Sequence, residues 1–305
     1  MWTRILWWTG GFLFVVMLFH VAALVITGGP VTGPVSLRKP ATFAETGWLV
    51  AWSAALILPT LRARAWQRHV IGTAVVAFGV IETTVMAIQA WRGVPSHYNF
   101  STPFDAALVR GGAAGTAGLF LIGVLVMLVA TLRTPGLSGA IRLGVVGGVV
   151  VLLVACLIGL VMVFNNSGVY QGSVGAGFSR QATGYLGPDA ATVGKEYVLL
   201  RPFTRGGDLV LPHAIGVHGL LLLAVPAVLL ARTSAARQLA TVATMVASVG
   251  VAMVVLLSHA FRQLPLSQLN PVELALLALC GVGLVGSYVR VATALVRQFM
   301  AAETT

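Results

Sequence analysis

Histidine and glutamate placed inside apolar runs carry most of the chemistry this 305-residue sequence offers. His20, His213, His218 and His259 each fall within a long apolar segment, and Glu82 sits inside another. His97 follows such a segment in the stretch RGVPSHYN. Ionisable groups in hydrocarbon are expensive unless paired or solvated, so each marks a functional position by default. His69, after Arg68 in the basic stretch RARAWQRH, reads as solvated surface instead.

The segments that must position these groups are membrane spans. The chain is 58% hydrophobic and 9% charged, against about 25% charged in soluble domains. A run near 20 apolar residues crosses a bilayer. Such runs fall at about 5–27, 46–62, 70–91, 108–132, 143–164, 209–231, 240–260 and 272–295. The expected fold is therefore all-α: a polytopic bundle of about eight transmembrane helices forming one domain over 1–305. The first run follows Arg4 and imitates a signal peptide, but it is too long for a signal h-region and reads as a retained helix. The net charge of +11 is spread singly over loops, with no basic run or aromatic-interleaved patch, so nucleic-acid binding is set aside. Cys156 and Cys280 both fall within spans and read as small core residues, and no CxxCH is present for covalent haem.

Short-loop charge sets the orientation. One side carries Arg4, Arg62, Arg64, Arg68, Arg133, Arg142, Arg232, Arg237 and Arg297; the other carries Arg38, Lys39, Arg92, Arg110 and Arg262. Both termini are expected in the cytoplasm of a bacterial cell, with the chain in the inner membrane. Loops on the cytoplasmic side are short. Outer loops are longer: residues 28–45 hold three prolines and no helical period, and 165–208, rich in Gly, Ser and Tyr, read as a lid.

Depth follows from the helical rise. His20 lies about 15 residues into helix 1, roughly 22 Å from the inner edge. His218 lies about nine residues down helix 6, roughly 13 Å from the outer edge. In a core about 30 Å thick these two share a level. His213 and His259 lie near the outer edge. Two such His pairs could form, and two imidazoles on facing helices are what an axially ligated b-type haem needs. The small residues GGAAGTAG at 111–118 offer close approach or a slot for a flat macrocycle. His213 and His218 are five apart, about 140° around a helix, which disfavours one small metal ion held by both.

Helix 3 carries Glu82, Gln89 and Arg92, with Glu82 and Gln89 on one face. Glu82 reads as a proton carrier, a partner of His20 or His218, or a neutral acid. Arg92 and His97 lie at the outer surface. Asp105 and Asp208 precede helices 4 and 6 and read as caps. The phosphate-binding G-x-x-x-x-G-K-[ST], HExxH and G-x-S-x-G motifs are absent, so nucleotide, zincin and serine-hydrolase chemistry lack their signatures.

Three stretches carry a resemblance: GPVSLRKPATF (33–43), IETTVMAIQAWRGVPSHYNFSTPFDAA (81–107) and GGDLVLPHAIGVHGL (206–220). They resemble, in order, the SWRKP, RGxxSHFN and DxRxxHFxGLH motifs of a family of uncharacterised bacterial polytopic integral membrane proteins. The chain departs from them at Leu37, in place of Trp, and at Val210, in place of Arg. The resemblance implies topology and an outer-side site, not a reaction. Eight helices with histidines are also loosely similar in layout to haem A synthase, whose local ligand motifs this chain lacks.

The leading expectation is a haem-binding membrane protein that passes electrons between a quinone and an outer-side, periplasmic acceptor. His20, His213, His218 and His259 would ligate iron, while Glu82, His97 and Arg92 carry protons or bind propionate or quinone. A proton-coupled transporter using Glu82 and the deep histidines is the second reading. A membrane enzyme with an outward-facing, metal-dependent site is the third, and an accessory subunit the fourth.

Overall fold

The computed structural model describes residues 1–29, 31, 35–96, 99–165, 184–186 and 206–303. Among these, seven continuous helices are long and apolar enough to cross a membrane, and one further pair forms a bent span. We label them α1 (Trp2–Thr27), α2 (Arg38–Thr60), α3 (Ala65–Trp91), α4 (Pro103–Arg133), α5 (Gly139–Met162), α6 (Val210–Val217 with Leu220–Leu230), α7 (Gln238–Phe261) and α8 (Pro271–Ala302). The chain is an all-α membrane protein. Its outward-facing apolar side chains, such as Phe12 and Phe19 on α1 and Val282 and Val285 on α8, are exposed, as the lipid-facing side of a bundle requires.

Two helices begin earlier than the apolar runs do. Residues 38–45 belong to α2, although their sequence suggests a loop. Pro40 occupies the first turn, where a missing N–H costs nothing, and Ala41 and Ala44 are buried. The start therefore rests on packing, which hydropathy does not register, and Glu45 lies two turns inside the helix. Likewise α4 begins at Pro103, with Thr102 as N-cap accepting from the Asp105 amide.

The core joins most helices. Leu6 of α1, Val50 and Ile57 of α2, Ile71 of α3, Phe120 and Met127 of α4, Val149 of α5 and Leu220 of α6 form one cluster. A second unites Ile158 of α5 and Leu223 of α6 with Met245 and Met253 of α7. Helices meet closely where both sides are glycine. A Cβ on Gly47 of α2 would stand 3.1 Å from the Gly79 Cα of α3, and one on Gly148 of α5 would stand 2.7 Å from the Gly219 carbonyl of α6. The second contact presses the middle of α6 onto α5.

Three spans are locally widened into π turns: Phe78–Glu82 in α3, Leu108–Ala114 in α4 and Leu220–Ala224 in α6. Such turns free carbonyls that hydrocarbon cannot satisfy, and hydroxyl side chains fill in. Thr84 donates to the Val80 carbonyl at 2.7 Å, and Thr116 lies within hydrogen-bond distance of the Gly112 carbonyl. In α6 the cause is Pro226, which has no N–H for the Leu222 carbonyl. The Tyr288 hydroxyl of α8 donates to that carbonyl at 2.8 Å.

Candidate functional site

The bend of α6 is the most irregular point of the described bundle. Its two halves meet at 49°. The outer helix ends at Val217; His218 follows at φ −91° and ψ 10°, outside regular helix, and the π turn resumes at Leu220. The His218 backbone stays bonded, its N–H to the Ile215 carbonyl at 3.3 Å and its carbonyl to the Leu222 N–H at 2.9 Å, so the break displays the imidazole without opening the main chain. His218 Nδ1 is buried without a hydrogen-bond partner. The charge acting on it is the Glu45 carboxylate of α2. Glu45 is exposed and His218 is half-buried. No periodicity in residues 38–45 points to Glu45 as a partner of His218, and the sequence reading missed it.

Glu82 occupies the last position of the α3 π turn and is buried. Its Oε1 lies 3.1 Å from the Thr116 hydroxyl of α4. That hydroxyl has one proton, and the Gly112 carbonyl is the closer acceptor. With the proton committed there, a Glu82 acid O–H donating to Thr116 completes the pair. Gln89, on the same helix, also turns to α4: its amide donates to Asp105 Oδ1 at 2.9 Å.

Arg92 belongs to that second network. Its Nη1 lies 2.6 Å from Asp105 Oδ1 and also donates to Gln89 Oε1. Thr102 donates to the remaining Asp105 oxygen at 2.6 Å. Gln89, Arg92, Thr102 and Asp105 bond one another, and together they staple the end of α3 to the start of α4. His97 lies outside the described residues, as does most of the 165–208 segment expected to form a lid.

Of the four histidines expected to bind iron, His213 and His218 act on one another electrostatically, while His20 and His259 stand in surroundings of their own. His20 is buried; its Nδ1 donates to the Val16 carbonyl at 2.9 Å and its Nε2 accepts from the Trp91 indole at 3.3 Å. His213 donates from Nδ1 to the Ala155 carbonyl of α5 at 2.9 Å. His218 feels the charge of Glu45. His259 ends α7, with Nε2 2.7 Å from Glu273 Oε2 of α8, and Arg262 completes that cluster through the other Glu273 oxygen. Among the described residues no three His, Cys, Asp or Glu side chains converge on a position that would hold a metal ion.

Asp208 caps α6. Its Oδ1 accepts from the Val210 and Leu211 amides at 2.8 and 3.3 Å. Burial pushes its carboxyl above the usual carboxylate range, against the two amides that pull it down.

Fold and site thus define a polytopic helical membrane protein with a broken span at its polar centre. No family model, curated protein or solved structure matches the chain.

Proposed function

We propose that this protein is a proton-coupled membrane transporter whose site is the break in α6. The observation that carries the reading is the bend at His218, with an unpartnered Nδ1 and the charge of the Glu45 carboxylate acting on it from α2. Discontinuous helices are the usual way a transporter places polar backbone and an ionisable group at membrane depth. A solute bound at the break meets one imidazole and one carboxylate, a pair suited to a small polar or cationic molecule. Glu82, in its own π turn, serves as a second proton carrier, exchanging its proton through Thr116. The long loops face the outer side of the cytoplasmic membrane in this reading, which the Lys/Arg distribution of the short loops supports, and the surrounding partner is the lipid bilayer.

The test is a flux assay. Proteoliposomes containing a trapped pH dye are exposed to panels of amino acids, nucleobases, amines and monovalent cations. At least one class drives proton movement in the natural protein, and Glu45→Gln and His218→Ala abolish it. Failure of every class with folded, oriented protein removes the reading.

A second reading, a b-type haem for electron transfer between quinone and a periplasmic acceptor, is favoured by one observation. His213 Nδ1 is held by the Ala155 carbonyl, the arrangement that orients Nε2 of a metal-bound histidine, and its ring stands beside Gly159. The other candidates fit less well, since His20 Nε2 and His259 Nε2 already have partners. A bound haem would supply one-electron chemistry at its iron. A reduced-minus-oxidised visible spectrum with haem extraction decides it: a stoichiometric Soret and α-band lost in His213→Ala establishes haem, and a colourless protein made with adequate haem supply excludes it. Elemental analysis of the same sample tests the metal-dependent enzyme.

A further inference from the structure

The outer half of α6, the end of α7 and the start of α8 enclose a small cavity lined by Asp208, Leu211, Pro212, Leu256, His259 and Leu264, among others. Its walls are apolar except at two places, and those two are unusual. Asp208 is 8% exposed and His259 1%. Each has one side satisfied: Asp208 Oδ1 takes two backbone amides, and His259 Nε2 meets Glu273. Each also has one buried atom with no hydrogen-bond partner, Asp208 Oδ2 and His259 Nδ1.

Hydrogen counting identifies what is missing. Glu273 Oε2 accepts from the Asn270 amide as well, and Arg262 holds the other oxygen. Glu273 is therefore a carboxylate acceptor, and His259 Nε2 carries the proton it shares with it. A neutral imidazole protonated at Nε2 presents Nδ1 as an acceptor. Asp208 Oδ2 is an acceptor too. Two buried acceptors on residues that line one cavity call for a molecule with two donors. Leaving both unmet would cost each its full desolvation penalty. The cavity has room for one water-sized molecule, the volume at which a buried polar site takes a single water.

We propose that one internal water molecule occupies this cavity and bridges Asp208 Oδ2 to His259 Nδ1. One of its O–H groups donates to each. The bridge completes a continuous line from the α6 N-terminus through Asp208, water, His259 and Glu273 to the exposed Arg262. It ties three helices at the end where the long loops lie. It depends on neither reading of the function, because the two acceptors and the cavity exist whatever the protein transports or binds.

The test has two parts. A high-resolution density map of the natural protein shows a peak within hydrogen-bond distance of both atoms. In thermal melts of detergent-purified protein, Asp208→Ser and His259→Gln each lower the melting temperature by a few degrees. The first substitution keeps the capping oxygen, and the second keeps a polar end for Glu273. The double variant loses less than the sum, because either change alone already breaks the bridge. An empty cavity in the map overturns the proposal whatever the melts give. Density in the cavity with additive melting shifts overturns the bridge as well.

Discussion

Two polar regions of this bundle differ in one respect that separates structure from function. At the α3–α4 end, Gln89, Arg92, Thr102 and Asp105 satisfy one another. At the α6 break, His218 keeps an unpartnered nitrogen and feels the charge of an exposed Glu45. Hydrocarbon makes unmet polar groups costly, so a closed network earns its place by stability, whereas an open one needs a ligand, a proton or water to explain it. Arg92 looks functional in sequence because it is an arginine at a membrane edge. Its geometry makes it a clamp.

That contrast can be broken at either end. The largest effect is expected at the break: His218→Ala lowers proton-coupled flux by roughly an order of magnitude or more while stability changes by less than about 1 kcal/mol, the range of substitutions that remove no satisfied contact. Comparable losses of flux and melting temperature would erase the distinction. Arg92→Ala should do the reverse. It leaves buried Asp105 short of its cation and costs about 2 kcal/mol, read as a lower melting temperature, with flux per folded molecule retained.

A smaller effect sharpens the account of how the break is held. Tyr288→Phe removes the donor to the Leu222 carbonyl that Pro226 leaves free. The expected loss is about 1 kcal/mol, typical of one hydrogen bond inside a membrane bundle. Pro226→Ala restores a backbone donor, so combining it with Tyr288→Phe should recover part of that loss.

The smallest effect is a pH dependence. Asp208 titrates above the ordinary carboxylate range in the folded protein because it is buried. The folded state therefore holds its proton more tightly than the unfolded state. The resulting stability is present below the ordinary carboxylate pKa and is lost as pH rises from there through the folded value. Asp208→Asn should flatten the melting temperature over that window. A decline unchanged in the variant assigns it to another group.

The sequence made the spans legible because about 20 apolar residues in a row have few alternatives to crossing a bilayer. It placed Glu82 inside α3 and His218 inside α6 for the same reason. It hid three things. The start of α2 rests on buried Ala41 and Ala44 rather than on hydropathy, so Glu45 reads as a loop residue. The bend in α6 lies in an apolar run, and Pro226 was the one residue that marked it. The His259–Glu273 pair joins residues across a loop, and no spacing rule connects them. His97 and the 165–208 segment, conspicuous in sequence, fall outside the described residues or nearly so.

Accessibility to water tests the central contrast most directly. In a background with Cys156→Ser and Cys280→Ser, single cysteines are placed at Glu45→Cys and His218→Cys in the open region, and at Ala106→Cys beside Asp105 in the closed one. Membrane-impermeant thiol reagent is applied to sealed vesicles from the long-loop side. Rapid modification at 45 and 218, with Ala106→Cys protected until the protein is unfolded, is the predicted result. Protection at 45 and 218, or equal labelling at all three positions, would contradict a polar opening at the α6 break.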